Sequence, residues 1–322
     1  LEANRGYREE TFPEAPANAD AAIRAVAASM KGKRLPQIGR VEISVIEESS
    51  PQLLAFNSGA LDYANVAPDL VANVLDPGSR LKAGYADQKV ALHRAIRPSL
   101  NYAYFNMEDP VVGGYTPDKV ALRRAITMGF NVPDLIRVWW QEQAIAATQP
   151  IPPNVAGHDP KLDVRAPYDV ATARSLLDRF GYRDRDGDGW RDLPDGMPFT
   201  LSMGSTPTTR DRERDELWKR SMKDLGIRID FVKQKFPDLL KMGRAGRLQM
   251  WPVGWITTYG EGDAFMQLLY SGNIGQSNYS RFRNDEYDDL YRRSKRIPDG
   301  PERTALYARM AGIVAAYAPW EL

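Results

Sequence analysis

Residues Leu248–Trp255 read LQMWPVGW, a nearly continuous apolar run. So short and so apolar a stretch marks a buried strand, and a buried strand needs a sheet covered by helices. The chain before it supplies such helices. One is expected over Asp211–Leu225; it stops at Gly226 and leads into Ile227-Arg-Ile-Asp-Phe231, which alternates as a strand. Asp169 caps another, with Val170, Ala173, Leu176, Leu177 and Phe180 at helical spacing and Gly181 as its stop. Thr116-Pro117-Asp118 opens a third, whose apolar face holds Leu122, Ala125, Ile126 and Gly129. A short helix is expected over Pro237–Met242 and two more around Glu286–Ser294 and Pro301–Tyr317, the last capped by Asp299 or Gly300.

The same grammar is read nearer the start. Ala21–Met30 is alanine-rich and helical. Val41, Ile43 and Val45 alternate as a half-buried strand; Ser50-Pro51 caps a helix that Gly59 closes; Leu61–Tyr63 opens a second strand. Strand, helix and strand in this order predict a βαβ-like unit and a mixed or parallel sheet. Proline-rich Thr148–Pro167 is expected as an extended surface loop.

At 322 residues the chain has room for about two domains. With no cysteine there is no disulfide, thiolate metal site or cysteine nucleophile. His93 and His158 are the only histidines and are isolated, so a histidine metal site or relay has almost nothing to draw on. A net charge of +1 gives no broad attraction to nucleic acid or an anionic membrane. No apolar run approaches the roughly 18–20 residues that span a bilayer.

Several blocks, in order, resemble the family 5 extracellular solute-binding proteins, the binding subunits of ABC importers for peptides, nickel chelates and some sugars. They are Leu54-Ala-Phe-Asn-Ser-Gly-Ala-Leu-Asp62, Tyr104-Phe-Asn106, Lys119–Ile126, Pro150-Ile-Pro-Pro153, Tyr168-Asp169 with Ala173 and Leu176-Leu177, Asp184–Gly196, and Gly254-Trp255 with Tyr259. The resemblance implies an α/β fold of the periplasmic-binding-protein type II, in its large two-lobe class, with solute held between lobes that close on it. It also implies that the sequence lacks an N-terminal part and a C-terminal end. Residues 1–95 would be part of lobe I and 96–322 a nearly complete lobe II, so the piece alone should bind weakly.

The resemblance places Trp255, Thr257, Thr258 and Tyr259 on the cleft wall; they follow the buried strand, at the end where open α/β sheets take ligands. Peptide-binding members carry an Asp before this Tyr that pairs with the peptide ammonium. Thr258 stands there, which turns the expectation toward an uncharged or anionic solute. Trp139 and Trp140 form a second aromatic pair, read either as one facing core and the other facing the cleft or as both covering a hydrophobic surface. Tyr102 and Asn106, near the expected hinge, are further candidates; the alternative for Asn106 is that it fixes a strand end. Residues 210–216 (RDRERDE) alternate in sign and read as a solvated helix face.

Asp184, Asp186, Asp188, Asp192 and Asp195, with Gly189 at the sixth position, fit calcium-loop spacing. A structural calcium and a plain β-hairpin turn are both open readings of this loop. No cofactor is required.

The leading reading is a binding protein with no chemistry, capturing a peptide-like or oligosaccharide solute and delivering it to an ABC permease. It would work as a monomer in the periplasm or another extracytoplasmic space, any membrane anchor lying in a segment not present here. Two alternatives stand beside it: a glycoside hydrolase using paired carboxylates, with Glu261 and Asp263 as candidates, and a ligand sensor docking to a receptor.

Overall fold

The computed structural model describes residues 1–17, 19–46 and 48–322. They form two compact units, Leu1–Val66 and Ala67–Leu322. The lobe boundary expected at residues 95–96 thus lies inside the second unit.

In the first unit, α1 (Ala21–Met30) starts where the Asp20 carboxylate accepts from the Ile23 amide at 2.8 Å. Helix α2 (Ser49–Asn57) begins one residue before the expected cap. Glu48 occupies the capping position without a side-chain bond, and Gly59, at φ +77°, ends the turn that follows. The two strands expected here, at Val41–Val45 and Leu61–Tyr63, do not form, so the βαβ unit is not at this place. A strand needs a hydrogen-bonded neighbour. Among the described residues of this unit, pairing is limited to the isolated bridges Glu2↔Arg40 and Thr11↔Arg34. Ile43 and Val45 are 74% and 89% exposed, so their alternation has no surface to bury against.

The second unit is an α/β layer structure. In chain order it contains β1 (Ser99–Phe105), α3 (Pro117–Gly129), α4 (Val170–Arg179), β2 (Thr200–Ser205), α5 (Thr209–Leu225), β3 (Arg228–Lys233), α6 (Phe236–Arg244), β4 (Met250–Ile256), α7 (Asp285–Ser294), α8 (Pro301–Tyr317) and β5 (Trp320–Glu321). The strands lie in the order β3-β2-β4-β1-β5. Strand β2 runs parallel to β3 and β4, while β1 is antiparallel to β4 and β5. The sheet is mixed, and its βαβ unit is β2–α5–β3.

Both faces of the sheet are buried, as the apolar run of β4 requires. Period-two alternation sorts the residues of β1. Leu100, Tyr102 and Tyr104 enter one core with Trp251, Leu290, Met310 and Val314. Ala103 and Phe105 enter the other with Leu122, Leu177, Met203, Trp218 and Met222. On that second side α3 meets α5 closely: a Cβ on Gly129 would stand 2.5 Å from a Leu225 methyl. Phe130 stacks on Trp218 at 3.8 Å.

The caps follow the sequence in most helices. The Asp169 carboxylate accepts from the Thr172 amide at 2.9 Å, and Gly226, left-handed at φ +74°, closes α5. Residues 148–167 are irregular but not simply a surface loop. Ile151 and Val155 are buried in the first core. The Gln149 amide reaches the Asp159 carbonyl at 2.6 Å, supplying a partner that a buried loop needs. No helix among the described residues is long and apolar enough to cross a membrane.

Candidate functional site

The parallel strands β3, β2 and β4 end on one edge of the sheet, at Lys233, Ser205 and Ile256. Because β1 runs the other way, its start lies there too, and the Thr257 amide donates to the Pro98 carbonyl at 3.1 Å. The carboxyl edge of an open α/β sheet, where strand direction changes, is where such folds hold ligands.

Two of the expected residue groups lie on this edge. In the first, Trp255 is half-buried against the core, and it lines a hollow of about 430 Å³ together with Arg244, Gln267, Asn273 and Tyr279. That volume is in the range of small-ligand pockets. Thr257 is buried; its hydroxyl donates to the Tyr259 carbonyl at 2.7 Å and accepts from the Tyr259 amide at 3.2 Å. It therefore shapes the turn rather than offering its hydroxyl outward. Thr258 and Tyr259 are exposed.

This turn is held from behind by the proline-rich loop. The Ala156 amide donates to the Gly260 carbonyl at 2.8 Å. A Cβ on Gly262 would lie 2.6 Å from the Ala156 carbonyl oxygen. Only glycine allows that approach.

The second group is Trp139 and Trp140. They sit at the end of a π-helical turn, Leu135–Trp139, with their rings edge to face at 4.7 Å. The Trp139 Nε1 donates to the Arg210 carbonyl at 3.0 Å, which ties the pair to the start of α5, just beyond the end of β2. The Arg210 guanidinium lies over Trp139 at 3.9 Å and 5.3 Å from the Trp140 centroid. Arg214 approaches Trp139 from the next turn, at 5.1 Å.

The start of α5 is therefore not a simple solvated face. Arg212, Glu213 and Glu216 are exposed. Arg214 and Asp211, by contrast, form an ion pair at 3.1 Å with side chains only 12% and 13% exposed. Asp215 is buried, paired with Lys233, and accepts from the Ser205 hydroxyl at 2.8 Å. The signal was present in the sequence. The buried stripe Leu225, Met222, Trp218 extends backward at helical spacing to Arg214 and Asp211. The sign alternation masked it.

Tyr102 and Asn106 are core residues and leave the candidate wall. Tyr102 is 4% exposed and stacks on Trp320 at 4.1 Å. Burial pushes its phenol well above the ordinary value. Asn106, also 4% exposed, donates to the Gly246 carbonyl at 2.9 Å and accepts from the Glu108 amide at 3.0 Å. Both of its ends fix backbone at the close of β1.

The five carboxylates of the acidic turn do not come together. Asp184, Asp186 and Asp188 can bring one oxygen each within 4.8 Å of one another. Asp192 is buried and accepts from the Arg185 amide at 2.9 Å, while Asp195 accepts from the Met197 amide at 3.0 Å. The bridge Asp192↔Pro198 gives the turn hairpin character. Asp184 accepts from the Gly187 and Gly189 amides at 2.7 and 2.9 Å, and Asp188 is paired with Arg228. Asp184, Asp186 and Asp188 are thus the carboxylates of this turn that could face one cation, and Asp192 and Asp195 are not.

Glu261 and Asp263 do not form an acid–base pair. Glu261 is held by Arg303 at 2.9 Å, and Asp263 by Lys295. Each carboxylate is committed to a cation. His93 is exposed, and His158 Nδ1 lies 2.8 Å from the Ile151 carbonyl.

The sheet order, the helices on both faces and the open edge define an α/β fold of the periplasmic-binding-protein type. The chain belongs to the bacterial extracellular solute-binding proteins of family 5: the family described as "Bacterial extracellular solute-binding proteins, family 5 Middle" matches residues 1–277. It is 28% identical over 308 residues to Heme-binding protein A of Haemophilus influenzae, covering 94% of this chain and 51% of that protein. It is 27% identical over 195 residues to Di/tripeptide-binding protein 2 of Pseudomonas aeruginosa, covering 60% and 35%. In fold it is similar to the periplasmic binding protein DppA of Helicobacter pylori, solved in complex with the peptide STSA. The TM-score is 0.68 at 22% identity, covering 85% of this chain and 49% of that one. The chain spans about half the length of the first of these proteins and about a third of the second. These relatives are binding proteins, not enzymes.

Proposed function

We propose that this chain is part of an extracytoplasmic solute-binding subunit of an ABC importer, and that its open sheet edge forms one wall of the solute cleft. The solute is peptide-like, held against the aromatic surface of Trp139, Trp140, Trp255 and Tyr259 and handed to a membrane permease. The observation that carries the reading is the position of both aromatic groups on the carboxyl edge of the sheet, in a chain whose family binds solutes.

The mechanism is a shift of population. A solute that touches the opposing walls only in the closed state favours closure by its differential affinity. Thr258, exposed where peptide-binding members carry an Asp, offers a hydroxyl rather than a carboxylate. A free ammonium group loses its charge-assisted bond there, worth about 1.5–3 kcal/mol. Solutes with a blocked or absent amine are favoured in proportion.

A thermal-shift screen of the full chain against short peptides, N-blocked peptides and oligosaccharides, with product analysis of each mixture, tests this. A stabilising shift from a blocked peptide with no turnover supports it. Turnover of a sugar, or stabilisation by sugars alone, overturns it.

A further inference from the structure

Arg303 is the third residue of α8, where the helix dipole disfavours a cation. Its side chain is nonetheless only 11% exposed. Nη1 donates to Asp299 at 2.5 Å, four residues earlier, and to Glu261 at 2.9 Å, 42 residues earlier. The guanidinium also lies 5.5 Å from the Tyr307 centroid, and Nε is buried without a hydrogen-bond partner. A pair four residues apart forms readily at a protein surface and needs no such burial. The contact that crosses to another element is the one with Glu261.

Glu261 belongs to the turn after β4. Its amide donates to the Tyr259 carbonyl at 2.8 Å, the same carbonyl that takes the Thr257 hydroxyl at 2.7 Å. Its own carbonyl accepts from the Ala264 amide at 3.2 Å. The carboxylate that Arg303 holds is thus fixed to the backbone that carries Tyr259, whose ring is 51% exposed at the candidate wall. Helix α8 supports this turn a second time: a Cβ on Gly262 would stand 3.1 Å from a Tyr307 ring carbon. The neighbouring Asp263–Lys295 pair leaves its lysine side chain 48% exposed, so Arg303 is the more enclosed of the two cations.

We propose that Arg303 is a positioning residue for solute binding: through Glu261 it holds the turn after β4, so that Tyr259 stands in place on the wall before the solute arrives. The inference rests on the solute-binding reading and adds a residue that sets affinity without standing on the wall itself. A wall ordered in advance spares the solute the cost of ordering it. Loss of Arg303 should therefore weaken binding through Tyr259, and only while Tyr259 is there to be positioned.

The test uses the full chain and N-acetyl-trialanine as the probe. Its affinity is measured by calorimetry for the unmodified protein, Arg303→Met, Arg303→Lys, Glu261→Gln, Tyr259→Ala and the double variant Tyr259→Ala/Arg303→Met. Hydrogen exchange of each is read without the probe. The expected result is binding about tenfold weaker in Arg303→Met and partly restored in Arg303→Lys, with quicker exchange at residues 257–262. The double variant should bind no more weakly than Tyr259→Ala alone, because two residues that act through one contact are not additive. Glu261→Gln breaks the same link but leaves the Arg303–Asp299 pair, so the question stands even where Arg303→Met folds poorly. Additive losses in the double variant, or unchanged exchange at 257–262 in both Arg303→Met and Glu261→Gln, overturn the positioning role alone. If the unmodified protein does not bind the probe, the solute-binding reading falls with it.

Discussion

The Arg210 guanidinium covers the Trp139 ring at 3.9 Å, and Trp139 Nε1 donates back to the Arg210 carbonyl at 3.0 Å. Each residue fixes the other, and together they join the π-helical turn to α5. Trp139→Leu removes the stacking and the hydrogen bond while keeping some apolar contact. A loss of about 1–2 kcal/mol is expected from these two interactions. Urea unfolding monitored by circular dichroism checks it; an unchanged midpoint contradicts the coupling.

The Asp215–Lys233 pair is a second test of this edge. Asp215 is buried, whereas the Lys233 side chain is 36% exposed. Asp215→Ala removes the carboxylate from the ammonium group and the Ser205 hydroxyl, leaving Lys233 its bonds to Ser205 Oγ at 3.0 Å and the Thr206 carbonyl at 3.3 Å. Breaking a fully buried pair costs about 3–5 kcal/mol; the exposure of Lys233 reduces the expected loss to about 2–3 kcal/mol. Lys233→Met should cost more than it would at the protein surface, because it leaves a buried carboxylate. Equilibrium unfolding of both variants measures the asymmetry.

The sequence reading succeeds where one periodicity settles the structure. The apolar run Leu248–Trp255 does carry a strand, β4, buried at Met250 and Trp251 and opening toward solvent at Ile256, and Gly226 separates α5 from β3, as the pattern requires. It fails where period two has no partner, as at Val41–Val45, because alternation describes a face and not its neighbour. Strand β2 was missed for the reverse reason. Leu201 and Met203 do alternate with Thr200 and Ser202, but the strand is short and carries Gly204. That glycine lets Trp251 approach to 3.0 Å from where a Cβ would stand. At the site, Trp139, Trp140 and the turn after β4 were legible as candidates. Tyr102 was not legible as core, whereas for Asn106 the alternative reading, that it fixes a strand end, is the one the structure bears out; Arg210 was hidden in a run of alternating charges.

Gly262 sits where the proline-rich loop meets the turn after β4. Gly262→Ala would place a methyl 2.6 Å from the Ala156 oxygen and 2.7 Å from an Ile151 methyl. Overpacking of this kind costs about 1–3 kcal/mol. Hydrogen exchange should quicken at residues 156–162 and 257–262 but not in the acidic turn. Uniform quickening throughout the chain contradicts the local clamp.

Glu321 gives a pH dependence. Burial without compensation raises its pKa from 4.5 to about 8. The folded state then holds a proton that the unfolded state has already released. Stability is highest below the unfolded value and falls as pH rises through the window from 4.5 to about 8. Glu321→Gln should flatten that fall. Urea midpoints at four pH values across the window test it, and a rise in stability over that range contradicts the assignment.

Native mass spectrometry of the full chain after mild purification addresses the central claim most directly. The account predicts a retained small solute, released on denaturation. A chain that carries no solute and gains none from the peptide probes contradicts it.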